Sequence, residues 1–176
     1  LHNGIVPDMM TMAKGFGNGA SIGGLVTNDA IAESMRGKIH FNTYGGNPWA
    51  TMQAAETLAI LEDEKLHERA AKLGEILMGG FRELMASSKI IGDVRGRGLM
   101  IGIEFVKDKK SKAYATEEVL EVMEEARERG LLIGKGGLYG NVVRITPPMC
   151  ITEENAKTIL HVFGEAVRAV EKKMGY

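Results

Sequence analysis

The chain has little of what marks a secreted, membrane-spanning or nucleic-acid-binding protein. It has a single cysteine, Cys150, in 176 residues. An internal disulfide and a multi-cysteine metal site are therefore excluded, which fits a reducing compartment. No stretch approaches the roughly 18 consecutive apolar residues that cross a bilayer. A net charge of −1 excludes broad attraction to nucleic acid or anionic lipid, so neither is expected as a partner. His2, His40, His67 and His161 are scattered without metal-ligand spacing, and no metal is expected. Internal repeats and low-complexity segments are missing. So are the charged-then-apolar plan of a signal peptide and the Arg-rich, acid-poor character of a transit peptide. The first residue is Leu1 rather than methionine, which reads as a processed chain or a fragment.

Apolar residues make up 44% and charged residues 26%, ordinary for a globular protein. The pattern divides in two. Residues 8–13 form a short apolar run that stops at Lys14 and the glycine-rich Gly15-Phe16-Gly17-Asn18-Gly19-Ala20; a second run covers residues 22–27. Two such runs joined through Asn18-Gly19 predict adjacent, antiparallel strands. Asn28 or Asp29 then caps a short helix that Gly37 ends. Asn47 is a good N-cap with Pro48 at the first helical position. From Trp49 the apolar spacing predicts one long helix, weakened at Gly79-Gly80 and ending near Ser87-Ser88.

The later part has a different texture. Residues 90–106 read as strand, glycine turn and strand, with Arg95-Gly96-Arg97-Gly98 at the bend. Thr116 is the expected cap of a helix ending at Gly130. Residues 131–133 and 142–145 read as strands, and Thr152 opens a final helix. Residues 1–80 thus resemble a piece of an α/β domain, and residues 89–176 a small α+β domain.

Three places invite chemistry. Lys14 ends an apolar strand before glycines, desolvated on one side and open on the other. Burial lowers an amine's pKa, and a neutral amine suits Schiff-base chemistry; the plainer alternative is a surface lysine. The glycines that follow match G-x-G-x-x-A in letters only, because a strand rather than a helix comes next, and no phosphate-loop lysine stands in place. Thr43, with the glycine turn before Asn47-Pro48, offers a hydroxyl and free backbone N–H groups at a helix start, a natural phosphate seat. The alternative is a capped helix without ligand. Arg144 lies between Val143 and Ile145 in an apolar strand. A carboxylate is its best bidentate partner, from a substrate or from an internal ion pair, unless it faces solvent on an edge strand. Arg95 and Arg97 read as exposed structure, and Cys150 and Trp49 as packing.

Four motifs in order resemble the class III, fold type I pyridoxal-phosphate-dependent aminotransferases across essentially the whole chain. They are residues 7–19 around Lys14, residues 42–48, residues 92–100, and Val143-Arg144-Ile145-Thr146-Pro147-Pro148-Met149-Cys150-Ile151-Thr152. Residues 93–104 and 149–152 look most like the mitochondrial type of alanine–glyoxylate aminotransferase. Residues 20–24 depart from the pattern, since relatives usually carry a proline there.

The resemblance implies an α/β architecture: the tail of a fold type I large domain with a long linking helix in residues 1–80, then a small C-terminal α+β domain in residues 89–176. It implies pyridoxal 5′-phosphate as cofactor and an amino acid and a 2-oxo acid as substrates. Lys14 would hold the cofactor as a Schiff base and act as general base, and Thr43 would reach the cofactor phosphate across a homodimer. Arg144 would grip the substrate carboxylate. The expected activity is amino transfer from a donor such as alanine to glyoxylate or pyruvate. The alternatives are another class III ω-amino-acid enzyme or a non-catalytic dimerisation fragment. The expected location is the mitochondrial matrix, with the cytoplasm as alternative. The family's remaining cofactor contacts would lie upstream of Leu1, so the chain alone is expected to be inactive.

Overall fold

The computed structural model describes residues 4–176; Leu1, His2 and Asn3, and with them one of the four histidines, lie outside the described residues. The chain divides into two compact units, one ending at Lys65 and the other running from Leu66 to Tyr176.

In the first unit, β1 (Met9–Met12) and β2 (Gly24–Thr27) pair antiparallel, Met9 opposite Thr27 and Met12 opposite Gly24, as the two apolar runs imply. A 3-10 turn over Lys14–Gly17 begins the connection. Asn28 caps α1 (Asp29–Ser34) by accepting from the Ile31 N–H. The same residue donates to Asp8 Oδ1 at 3.3 Å, and Thr27 Oγ1 donates to the Asp8 carbonyl at 2.9 Å. These bonds lock the open end of the ribbon. Met9, Met10, Leu25 and Val26 are all exposed, so neither face of the ribbon is covered within the unit; a two-stranded ribbon is marginal without such cover. α2 (Pro48–Asp63) starts at the Asn47 cap with proline in its first turn, as expected.

The single long helix does not form. α2 stops at Asp63, Lys65 takes a left-handed backbone (φ 49°), and α3 (Leu66–Ser87) begins anew. The apolar rhythm shows why: the step from Leu61 to Leu66 is five residues, where a continuous helix needs three or four. As a result α3 belongs to the second unit, whereas the sequence pattern grouped residues 66–80 with the first. The Gly79-Gly80 pair leaves α3 intact, and Gly80 is a contact point for Leu160.

The second unit is a four-stranded antiparallel sheet in the order β3-β4-β6-β5, built from β3 (Ile91–Arg97), β4 (Met100–Phe105), β5 (Gly134–Gly136) and β6 (Val142–Ile145). α3, α4 (Thr116–Glu128) and α5 (Glu153–Met174) pack with it. Ile101, Ile103, Phe105, Val143 and Ile145 are buried in the core shared with these helices. Phe163 meets Phe81 and Phe105 edge-on, with ring centroids 5.3 and 6.3 Å away. Full burial of one such side chain is worth about 1.5–3 kcal/mol. From Ile91 onward two strands come first and then alternate with helices, β3-β4-α4-β5-β6-α5, the order anticipated for residues 89–176.

Three details differ from expectation. Ala115, not Thr116, occupies the N-cap of α4; Thr116 is its first helical residue and its hydroxyl donates to the Tyr139 carbonyl at 2.8 Å. Residues 131–133 form no strand; the pairing begins at Gly134. Arg95 lies inside β3 and not at the bend, since it pairs with Gly102 of β4. The alternation on β3 places Arg95 opposite the core face, where it accompanies Asp93. Thr152 caps α5 as expected, with a reciprocal bond from Asn155 that completes a capping box.

Candidate active site

Lys14 sits two residues beyond the end of β1 as the first residue of the 3-10 turn, with φ +57°. A non-glycine side chain in the left-handed region is uncommon and costs strain, and such residues gather at sites where geometry is imposed by function. The surrounding loop is held firmly. Phe16, Asn18 and Ala20 donate backbone bonds to Ala13, Gly15 and Gly17 in succession. Gln53 of α2 reaches across with its amide, donating to the Gly17 carbonyl at 2.8 Å and the Asn18 carbonyl at 3.0 Å. Gly17 is buried, and a Cβ there would stand 2.6 Å from Ile22 Cγ2. The one-sided burial that the strand end suggested for Lys14 is not found: within its unit the residue is exposed. Among the described residues its amine has no hydrogen-bond or ion-pair partner.

Thr43 opens the turn before α2 and is exposed, with its hydroxyl unpartnered among the described residues. The backbone donors expected beside it are already used. Asn47 Oδ1 accepts from Trp49 and Ala50, the Thr51 N–H bonds to the Asn47 carbonyl, and Pro48 has no donor. The phosphate seat read from residues 43–48 therefore reduces to the Thr43 hydroxyl and the glycine turn. The reason is that a carboxamide cap satisfies the same orphan N–H groups that an anion would. The loop after Lys14 and the start of α2 enclose a concavity of ≈ 550 Å³ lined by Ser21, Tyr44, Asn47, Trp49 and Gln53 among others; neither Lys14 nor Thr43 lines it.

Arg144 belongs to the second unit and lies on β6, an inner strand, not an edge. Its side chain is exposed while Val143 and Ile145 beside it are buried. Alternation along the strand thus puts the guanidinium on the sheet face opposite the helices, and the buried setting suggested by the apolar neighbours does not hold. Across the sheet in one row stand Arg95, Gly102, Arg144 and Gly134. Arg95 donates to Asp93 and Glu104 at 2.6 and 2.7 Å. The bond to Asp93, then that to Glu104, raises its pKa. Among the described residues Arg144 makes no ion pair. Sequence reasoning missed Gln53 and the Asp93–Arg95–Glu104 cluster. The strand alternation of residues 93, 95 and 102–104 could have located the cluster, whereas nothing in the sequence marks Gln53.

An exposed, unpartnered primary amine on a pinned strand end fits an aldehyde cofactor, a free hydroxyl fits a phosphate, and an unpaired guanidinium fits a carboxylate. The chain matches the aminotransferase class-III family over residues 1–167. It belongs to that family. Membership implies pyridoxal 5′-phosphate as cofactor, and an amine transaminase from an uncultivated Pseudomonas species, solved in its PLP-bound form, superimposes with a TM-score of 0.85. That structure shares 30% identity and covers 95% of this chain and 39% of its own. A Bacillus anthracis aminotransferase gives a TM-score of 0.87 at 32% identity, over 94% of this chain and 40% of its own. Among curated relatives, the mitochondrial alanine–glyoxylate aminotransferase 2 homolog 2 of Arabidopsis thaliana is 50% identical over 88% of this chain. The mitochondrial alanine–glyoxylate aminotransferase 2 of Homo sapiens is 40% identical over 93%. The class-III chain described here spans about a third of the length of these relatives, 32% in each case. Among the described residues no cluster of His, Cys, Asp and Glu could hold a metal, and no helix is long and apolar enough to cross a membrane.

Proposed function

We propose that this chain supplies the cofactor lysine and the substrate-binding arginine of a transaminase that moves an amino group from a donor such as alanine to a 2-oxo acid such as glyoxylate or pyruvate. The observation that carries the reading is Lys14: a left-handed, non-glycine residue whose free amine is presented from a braced turn. When bound, pyridoxal phosphate supplies the aldehyde carbon and the electron-withdrawing ring on which amino groups are exchanged. Lys14 Nζ would hold the cofactor, and the same amine would serve as the base for the proton on the substrate Cα. Thr43 Oγ1 donates to the cofactor phosphate. The planar fork of Arg144 donates to the substrate carboxylate and fixes the direction of the Cα–H bond.

On this reading the unit ending at Lys65 is the C-terminal part of the cofactor-binding domain, and Leu66–Tyr176 is the small domain. The assembly is a homodimer in which Thr43 serves the partner subunit's cofactor. The mitochondrial naming of the relatives supports the matrix as its location.

The test is direct. Full-length enzyme loaded with pyridoxal phosphate is reduced with borohydride, digested, and searched by mass spectrometry for the modified lysine. The expected result is a single modified peptide containing Lys14, lost together with transamination in Lys14→Ala. Modification of another lysine, or transamination surviving in Lys14→Ala, overturns the assignment.

A further inference from the structure

Glycines inside strands weaken them, so each calls for a cause: a positive φ, a clash, or the close approach of something else. In β3 the cause is visible. A Cβ at Gly92 would stand 2.7 Å from Val106 Cγ1, and Gly96 has φ +156° and would run into the Met100 carbonyl. Gly102 of β4 and Gly134 of β5 have no such cause. Neither has a positive φ, and a Cβ at either would meet only ordinary contacts: 3.6 Å to Val142 Cγ1 at Gly102, and 3.7 Å to the Arg144 carbonyl at Gly134. Both are the direct cross-strand partners of Arg144, one on each side. Directly opposed residues project to the same sheet face, so both missing side chains would have stood on the face that carries Arg144, the one at Gly134 within 4 Å of its guanidinium.

The space over Gly102 is real: a cavity of ≈ 340 Å³ lies there, bounded by Arg95, Met100 and Val142. A second cavity, of ≈ 310 Å³, borders Gly134 at the sheet edge and reaches the helix side at Ile145 and Ile159. Arg144 and Thr146 line both. The guanidinium leans toward Gly134, where a Cβ would stand 3.9 Å from Nε. Over Gly102 the floor of the slot is bare backbone.

We propose that Gly102 and Gly134 are specificity-determining residues: they keep both flanks of Arg144 clear so that a substrate carboxylate can meet the guanidinium fork edge-on, with the group beside that carboxylate seated over Gly102. This rests on the reading of Arg144 as the carboxylate-binding residue. A methyl group at residue 102 meets only ordinary contacts and narrows the slot. The fold therefore tolerates, or even gains from, a substitution that the ligand does not.

The experiment uses full-length, cofactor-loaded enzyme and propionate, a carboxylate with no reactive amine, titrated by calorimetry alongside KM and kcat for the amino acid. Gly102→Ala, Gly102→Val, Gly134→Val and Arg144→Gln are compared with parent, each with its melting temperature. Loss of a charge-assisted contact is expected to raise the propionate Kd and the amino-acid KM by about tenfold or more in Gly102→Val, Gly134→Val and Arg144→Gln. Melting temperature should be unchanged or higher in Gly102→Ala. If Arg144→Gln weakens propionate but the valine variants do not, the glycine inference is overturned while the role of Arg144 stands. If Arg144→Gln leaves propionate binding intact, the reading of Arg144 falls and the inference with it. A drop of several degrees in the melting temperature of Gly102→Ala would show that packing demands the glycine, and would overturn it as well.

Discussion

Replacing Gln53 with alanine tests whether α2 holds the Lys14 loop in place. The amide donates two hydrogen bonds, to the Gly17 and Asn18 carbonyls. A typical intramolecular hydrogen bond contributes about 0.5–1.5 kcal/mol net. One of these is half-buried and the other exposed, and the Gly17 carbonyl keeps its bond from the Ala20 N–H after the change. The Asn18 carbonyl is exposed and can turn to water, so the low end applies, about 1–2 kcal/mol for the pair. At about 1.4 kcal/mol per decade, local opening of the loop should become about five- to thirtyfold more frequent. The assay is amide hydrogen exchange at Asn18 and Ala20, whose N–H groups donate within the loop. Their exchange should accelerate by that factor in Gln53→Ala while core amides such as that of Phe163 stay unchanged. Gln53→Glu should exchange faster still, because a carboxylate would face two carbonyl oxygens. Cofactor attachment to Lys14 should slow in the same order, since loss of positioning lowers reactivity. If both variants exchange at the parent rate, the loop is held by its own turns and the bracing argument is refuted.

The second unit offers two further tests. Tyr176 donates to Glu118, a carboxyl only 2% exposed whose Oε2 is unpartnered among the described residues. Burial first, and the Glu118 carboxylate second, push the Tyr176 phenol up to about 12. A phenol whose folded pKa is raised stabilises fully below the unfolded value near 10 and loses that contribution as pH rises through about 12. Denaturant titrations from pH 9 to 12 should show this decline in parent and a flatter profile in Tyr176→Phe; equal slopes would count against the contact. At neutral pH Tyr176→Phe should cost about 1–3 kcal/mol, because it strands a buried carboxyl. Gly74→Ala should destabilise by about 1–3 kcal/mol or more, since its Cβ would meet the Gly98 backbone, which cannot move aside like a side chain. A melting temperature equal to parent would contradict the close approach of α3 to the β3–β4 turn.

Much of the fold could be read from local chemistry. The caps at Asn28, Asn47 and Thr152 stand where side-chain oxygens meet free N–H groups, because capping depends on neighbours two or three residues away. The segments that became β1, β2, β4 and β6 were legible as short apolar runs between turn residues. The break at Lys65 was harder to see, since it shows only as one irregular step in the apolar rhythm. The strand expected at residues 131–133 was wrong because three apolar side chains say nothing about which backbone they pair with; β6 selected Gly134–Gly136 instead.

The site divides along the same line. Motif order pointed to Lys14, Thr43 and Arg144 and to the class-III family, and residue chemistry told what each could bind. Their surroundings were a matter of tertiary structure. The sequence suggested a buried Arg144 among apolar neighbours and free N–H groups beside Thr43. Sheet alternation turned Arg144 to an open face, and Asn47 took the amides. Gln53 and Gly17 are 36 residues apart in sequence, and Gly102 and Arg144 lie on separate strands. Residue identity and near-neighbour spacing are written along the chain, whereas which backbone stands beside which side chain depends on long-range pairing, and only the folded structure decides that.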